Sequence, residues 1–157
     1  MKQNIKNYII AIVIPLAVGG LSALLTMGNM DLYSTINTPS LSPPAILFPI
    51  VWSVLYLLMG ISSGMIANSP ALRIKKQSAF FSYGLSLFFN FFWSVIFFNF
   101  RAFLFAFIWL AVLLFLIVRT IMKYHRIKPA AAYLQIPYAL WVAFAGYLNF
   151  AIWLLNK

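Results

Sequence analysis

Five long apolar runs, separated by short polar breaks, set the pattern of positions along this chain. A bilayer core about 30 Å thick requires roughly 20 apolar residues in each spanning α-helix, and every run reaches that length. The pattern therefore predicts an all-α integral membrane protein, a bundle of five transmembrane helices in a single domain, residues 1–157. The predicted spans are residues 8–27, 45–67, 78–100, 102–122 and 130–155.

Composition agrees with membrane insertion and excludes several kinds of chemistry. Hydrophobic residues make up 64% of the chain and charged residues 8%, against roughly 45–50% and about 25% in soluble domains. The chain has no Cys, which excludes disulfides, thiolate nucleophiles and Cys-ligated metals. It has no Glu, one Asp in a loop and one His, His125, in a basic loop. We therefore predict no metal site, no bis-His haem ligation and no proton relay built on intramembrane carboxylates.

Basic residues gather on one side of the predicted bundle. Arg101 and Lys157 fall on the other side, so the positive-inside rule predicts a cytoplasmic N-terminus and an outer C-terminus. Lys2 and Lys6 also suit the start of a signal peptide, but the run after them is long for one and lacks an A-x-A-like cleavage site. The charges are thinly spread, which argues against nucleic-acid binding. The nine residues on the basic side are Lys2, Lys6, Arg73, Lys75, Lys76, Arg119, Lys123, Arg126 and Lys128.

The first connection, residues 28–44, is much longer than the others and contains Pro39, Pro43 and Pro44. Proline fixes φ near −65°, so it stiffens a segment even where no hydrogen bonds hold that segment. Long ordered loops are usually functional. We therefore predict a braced lid over the outer end of the bundle, with a plain extracellular connector as the alternative.

Three of the predicted spans carry an indole together with a hydrogen-bonding group on one face. Trp52 and Tyr56 are one turn apart in span two, Asn90 and Trp93 share a face of span three, and Trp141 belongs to a similar stripe in span five. Burying an unpaired amide costs roughly 1–3 kcal/mol, so Asn90 is expected to point into the bundle. We expect Trp52, Asn90 and Trp141 to converge on one site in its outer half. The alternative is interhelical hydrogen bonding plus an interfacial aromatic belt.

Small residues predict close helix contacts. Gly60 and Gly64 form a G-x-x-x-G motif in span two, and Gly19 and Gly20 make span one thin. Such motifs let two backbones touch, within one subunit or between two subunits. The pattern does not distinguish these two arrangements.

The stretches PSLSPPAILFPIVWSVLYLLMG, LFFNFFWSVIFF and PYALWVAFAGYLNFAIWLLN resemble the three signature stretches of the translocator protein family. That family is also called tryptophan-rich sensory protein or peripheral-type benzodiazepine receptor. The likeness covers essentially the whole chain. It implies a five-helix bundle, commonly a homodimer, which requires no cofactor and binds porphyrins such as protoporphyrin IX and haem. It also implies binding of synthetic isoquinoline and benzodiazepine ligands and, in some members, of cholesterol.

The resemblance also implies the ligand-binding residues. They match the V-W-x-x-L-Y segment, the N-x-x-W pair, the Trp after P-Y with the small and apolar residues below it, and the aromatic of the first loop. These positions are Trp52, Asn90, Trp93, Trp141, Ala145, Leu148 and Tyr33. Leu41 stands where the family's P-S-W-x-P-P motif has Trp, which puts stacking there in doubt. Tyr147 is ten residues from Lys157, too far for the cholesterol consensus, so no cholesterol site is predicted.

Three classes of function stay open at this point: a receptor or sensor, a tetrapyrrole or sterol transporter, and an enzyme that degrades porphyrin under light. The enzyme would use Trp52 and Trp141 as redox-active indoles. No general acid, base or metal in the sequence supports turnover in the dark, so no catalytic residue is assigned. Short tails and a richness in Ile, Phe, Asn and Lys favour a bacterial inner membrane over a mitochondrial outer membrane.

Overall fold

The computed structural model describes residues 2–157, which form helices joined by loops and turns, with no β-strand among them. Five helical stretches are long and apolar enough to cross a membrane, so the prediction of an all-α membrane protein with five spans is confirmed. The elements are α1 (Lys2–Thr26), a 3₁₀ turn (Met27–Asn29), α2 (Leu32–Thr35), α3 (Leu47–Ala67), α4 (Arg73–Ser94), a π-helical turn (Val95–Asn99), α5 (Phe103–His125), α6 (Pro129–Tyr133) and α7 (Ile136–Leu155).

Three helices extend past the predicted spans at their polar ends. Residues 2–7, 73–77 and 123–125 are helical although they carry charged and amide side chains. Hydropathy marks the part of a helix that contacts lipid, whereas hydrogen bonds continue the helix into the polar region. At the start of α1, for example, the Gln3 amide donates to Asn7 Oδ1 at 3.0 Å, one turn further on.

The fifth predicted span consists of two helices, because the chain turns at residues 134–135 between α6 and α7. Pro137 occupies one of the first two positions of α7. A proline ring clashes with the carbonyl four residues earlier, here that of Tyr133, and α6 ends at that residue. The structure thus places a complete break within residues 130–155, which the sequence analysis predicted as one span.

The long helices form a closed ring. α1 packs against α3 and α4, α5 packs between α4 and α7, and α6 and α7 return to α3. The backbones of α1 and α3 touch at Gly60, where an added Cβ would lie 2.5 Å from Ile12 Cα. The G-x-x-x-G motif therefore serves a contact within one chain.

Amide hydrogen bonds tie the helix ends together and define two ends of the bundle. At the basic end, which holds the nine basic residues, Asn7 on α1 donates to Asn68 after α3 at 2.7 Å. At the opposite, loop end, Asn29 donates to Asn99 after α4 at 2.9 Å. The first loop, the α4–α5 turn and residue 157 thus share the loop end.

Candidate functional site

A cavity of about 420 Å³ lies in the half of the bundle nearest the loop end. Side chains of α1, α3, α4 and α7 line it, together with residues of the first loop. The contribution of α1 consists of Gly19, Ser22, Ala23 and Thr26. These small side chains leave room for the cavity between the larger side chains of the other helices.

The wall of the cavity is a run of aromatic rings centred on Trp52. The Trp52 ring stacks on Tyr56 with centroids 5.5 Å apart and lies 6.2 Å from Trp93 on α4. Trp93 in turn lies 5.9 Å from Phe97. Two helices thus present flat, polarisable surfaces to one space, an arrangement suited to stacking with a planar ligand.

Five of the seven predicted ligand-binding residues line this cavity. They come from the first loop and from α3, α4 and α7, and they are Tyr33, Trp52, Trp93, Ala145 and Leu148. The other two, Asn90 and Trp141, are not among the lining residues, so the expected convergence of Trp52, Asn90 and Trp141 on the cavity surface is not what the structure shows.

Asn90 supports the wall from behind. It points into the bundle, as predicted, and only 2% of its surface is exposed. Its Oδ1 accepts a hydrogen bond from the Tyr56 hydroxyl at 2.8 Å, and its Nδ2 donates to the Tyr138 hydroxyl at 3.0 Å. Asn90 therefore links α3, α4 and α7 and fixes the ring on which Trp52 stacks.

Trp141 packs one side chain away from the cavity. Its ring meets the edge of Phe48, a lining residue, at 5.8 Å, and lies 5.7 Å from Phe144. Its Nε1 is buried and has no hydrogen-bond partner among residues 2–157. Helical spacing placed Trp141 on the same face as Ala145 but did not reveal that Phe48 would occupy the space beside it.

A polar group that the sequence prediction left out holds Trp93 in place. Trp93 Nε1 donates to Asn149 Oδ1 at 3.0 Å, and Asn149 Nδ2 donates to the Phe103 carbonyl at 2.7 Å. Asn149 lines the cavity. The available signal was its spacing, because Asn149 follows Trp141 and Ala145 at four-residue intervals and so shares their face of α7.

The α1 lining was also missed. Gly19, Ser22, Ala23 and Thr26 follow three- and four-residue spacing, so they share one face. Their hydroxyls are satisfied internally: Ser22 donates to the Phe91 carbonyl at 3.0 Å and Thr26 to the Ser22 carbonyl at 2.9 Å. Small residues were interpreted only as a sign of close helix packing, although the same pattern also fits a cavity wall.

The cavity lacks charge among the lining residues that the structure describes. Within residues 2–157, no group of three His, Asp or Glu side chains is placed to hold a metal ion. The surface presented to a ligand therefore consists of aromatic rings, aliphatic groups and a few hydrogen-bonding atoms.

The first loop contributes Tyr33 to the cavity and is more structured than the prolines alone predicted. It contains the 3₁₀ turn and α2, and the Tyr33 hydroxyl donates to the Pro43 carbonyl at 3.5 Å. The Asn37 N–H donates to Asn156 Oδ1 at 2.9 Å, and Asn156 Nδ2 donates back to the Asn37 carbonyl at 2.8 Å. Leu41 is 67% exposed. The loop is thus fastened to the end of α7 by a reciprocal amide pair.

Comparisons with known proteins agree with this architecture. The sequence model of the TspO/MBR family matches residues 11–154. The chain is 31% identical to the tryptophan-rich protein TspO of Chlorobaculum tepidum over 99% of each chain. It is 33% identical to the translocator protein of Bos taurus over 88% of this chain and 83% of that protein. It is 30% identical to the tryptophan-rich sensory protein of Cereibacter sphaeroides over 79% of this chain and 76% of that protein. This five-span membrane protein therefore belongs to the TspO/MBR family.

Proposed function

We propose that this protein is a membrane receptor or sensor that binds porphyrins, such as protoporphyrin IX and haem, and related flat hydrophobic ligands in the cavity. Membership of a family whose relatives are named translocator and sensory proteins supports the receptor or sensor role. The observation that carries the choice of ligand is the aromatic wall formed by Trp52, Tyr56 and Trp93 around an uncharged space.

Size and chemistry both suit such a ligand. A cavity of about 420 Å³ falls within the roughly 300–1,000 Å³ of small-molecule sites. Each indole that stacks on a planar macrocycle adds about 0.5–1.5 kcal/mol beyond the burial of apolar area. His125 lies at the end of α5, at the basic end, and does not line the cavity. Binding of haem would therefore rest on its macrocycle and not on this histidine.

The protein is further proposed to lie in a bacterial inner membrane as a homodimer, with its basic end in the cytoplasm. The distribution of basic residues, nine at one end and Arg101 and Lys157 at the other, supports this orientation. The cavity would then sit in the outer half of the membrane, beneath the first loop.

Titration of the purified protein with protoporphyrin IX in the dark tests the proposed ligand. We expect saturable quenching of tryptophan emission in the wild type. Trp52→Phe keeps a ring and is expected to cost little affinity, whereas Trp52→Ala is expected to cost about tenfold or more, since about 1.4 kcal/mol is one decade. Trp153→Ala is the matched control, because Trp153 packs on Phe150 and not in the cavity.

Trp141→Ala measures the contribution of the indole behind Phe48 in the same titration. We expect a smaller loss of affinity than for Trp52→Ala, because Trp141 does not line the cavity and contacts the lining residue Phe48 instead. A folded Trp52→Ala protein that binds as tightly as the wild type would refute the cavity as the porphyrin site.

A further inference from the structure

A second, smaller space lies at the basic end of the bundle, far from the cavity. It is a groove of about 280 Å³ between the last turns of α5 and the two helices that follow. We call it the α5–α6 groove; its lining consists of Ile121, Met122, His125, Arg126, Ala132, Tyr133 and Ile136. Two of its lining residues, Tyr133 and Ile136, flank the turn between α6 and α7 at residues 134–135.

The inner side of α6 is fixed, so the groove exists before anything binds. Ser62 Oγ on α3 donates to the Ala131 carbonyl at 2.7 Å, and Gln135 Nε2 donates to the same Ser62 Oγ at 3.2 Å. Ala131, which does not line the groove, is fully buried. α6 is therefore held against α3 on one side and forms one wall of the groove on the other.

The chemistry of the groove changes along its length. Met122 and Ile136 belong to spanning helices and expose 52% and 40% of their surface. Arg126 and His125 stand at the end of α5, and Tyr133 at the end of α6 is 59% exposed. The His125 and Tyr133 rings meet edge to face at 6.0 Å. The groove is apolar towards the membrane interior and carries a cation and hydrogen-bond donors at the membrane surface.

The surrounding charge is entirely positive. The only acidic side chain of the chain, Asp31, lies in the first loop at the opposite end. Arg119, Lys123 and Lys128 lie within a few residues of the groove along the chain. The Lys123 ammonium already donates to the Ser78 carbonyl at 2.8 Å and to Ser82 Oγ at 2.7 Å. No protein carboxylate is near Arg126, so its exposed guanidinium can pair with an anion from outside the chain.

We propose that the α5–α6 groove binds an anionic phospholipid from the membrane leaflet at the basic end. The guanidinium of Arg126 pairs with the phosphate, since its planar fork matches phosphate oxygens. Tyr133 and His125 offer further hydrogen-bond donors to the headgroup at the same depth in the membrane. One acyl chain lies along Met122 and Ile136. Basic pockets between transmembrane helices are suited to anionic headgroups, and the apolar floor distinguishes a phospholipid from a free phosphate ion.

Native mass spectrometry of the full chain in detergent, with phosphatidylglycerol or phosphatidylcholine added, tests the site. We expect the wild type to retain phosphatidylglycerol in preference to phosphatidylcholine. Arg126→Gln is expected to lower retention of phosphatidylglycerol about tenfold. Arg119→Gln is the matched control, because Arg119 is an exposed cation on the same helix but outside the groove. Both side chains are exposed, and thermal unfolding of each variant checks that it is folded.

Two results would overturn this proposal. Equal losses in Arg126→Gln and Arg119→Gln would mean that diffuse positive charge retains the lipid. Displacement of phosphatidylglycerol by millimolar inorganic phosphate would mean that the groove holds an anion without the acyl chain. The acyl-chain contact would be supported by two results together: the wild type retains phosphatidylglycerol in the presence of phosphate, and Ile136→Ser lowers that retention.

Discussion

Removal of the Asn90 amide is expected to destabilise the bundle although this residue does not line the cavity. Asn90→Ala deletes two buried hydrogen bonds, of 2.8 Å to Tyr56 and 3.0 Å to Tyr138. Measured interhelical hydrogen bonds in a membrane protein average about 0.6 kcal/mol and reach about 1.7 kcal/mol. Two such bonds amount to a loss of about 1–3 kcal/mol in the free energy of unfolding. Tyr56→Phe, which removes one of them, is expected to cost about half as much.

The assay is reversible unfolding in detergent, followed by tryptophan fluorescence, on a double-mutant cycle of Asn90→Ala and Tyr56→Phe. The hydroxyl of Tyr56 has no partner once the amide is gone, so Tyr56→Phe is expected to cost nothing in the Asn90→Ala background. Tyr147→Phe serves as control, because Tyr147 is 45% exposed. If Tyr56→Phe is equally costly in both backgrounds, the two side chains are not coupled and the reasoning fails.

The same variants separate support of the cavity wall from direct contact with ligand. Because Tyr56 stacks on Trp52 at 5.5 Å, Asn90→Ala and Tyr56→Phe are expected to weaken porphyrin binding to a similar, modest degree. Their combination is expected to weaken it no further. A large loss confined to Asn90→Ala would show that the amide reaches the ligand itself.

Three further outcomes are expected. Gly60→Ala is expected to destabilise the bundle by about 1–3 kcal/mol in thermal unfolding, since the new Cβ meets the backbone of Ile12. Gly146→Ala is expected to be neutral or stabilising, since a Cβ added there points into open space. Asn156→Ala removes the reciprocal amide pair and is expected to speed porphyrin dissociation in stopped-flow measurements; an unchanged rate would make the first loop a connector. A tag at Lys157 is expected to be reachable from outside intact cells and an N-terminal tag protected, and the reverse would contradict the charge-based orientation.

The sequence was sufficient for the number of membrane spans and for their helical type, because transfer of apolar residues into lipid depends on composition over about 20 positions. The apolar pattern predicted one span where the structure has α6 and α7, although the cause of the break is local: the missing N–H and the ring clash of Pro137. The π-helical turn at Val95–Asn99 was not foreseen. Its residues, VIFFN, continue the apolar run that ends α4, so the pattern of apolar positions predicts no change of helix type there.

The cavity could be predicted only in part, because helical spacing gives the face of a residue and not its depth. Trp52 and Trp93 face the cavity as expected. Asn90 and Trp141 lie on the helix faces that point towards the cavity, but neither lines it. Tyr56 lies between Asn90 and the cavity, and Phe48 lies between Trp141 and the cavity. When two side chains pack one behind the other, the sizes of the side chains on neighbouring helices decide which of them reaches the cavity. Those neighbours are far away in the sequence, so helical spacing does not reveal them.

The ties at the loop end are made by neutral amides and not by ions. Asn37 pairs with Asn156, and Asn29 with Asn99. An ammonium–carboxylate tie at this exposed position would weaken with ionic strength and fail when acid protonates the carboxylate, whereas a neutral amide tie has no ionisation to lose. The attachment of the first loop is therefore expected to hold equally well in dilute and saline surroundings and across several units of pH. If the loop end faces the outside of the cell, as proposed, changes in salt or pH there would leave the first loop in place, and its release would report ligand and not the external medium.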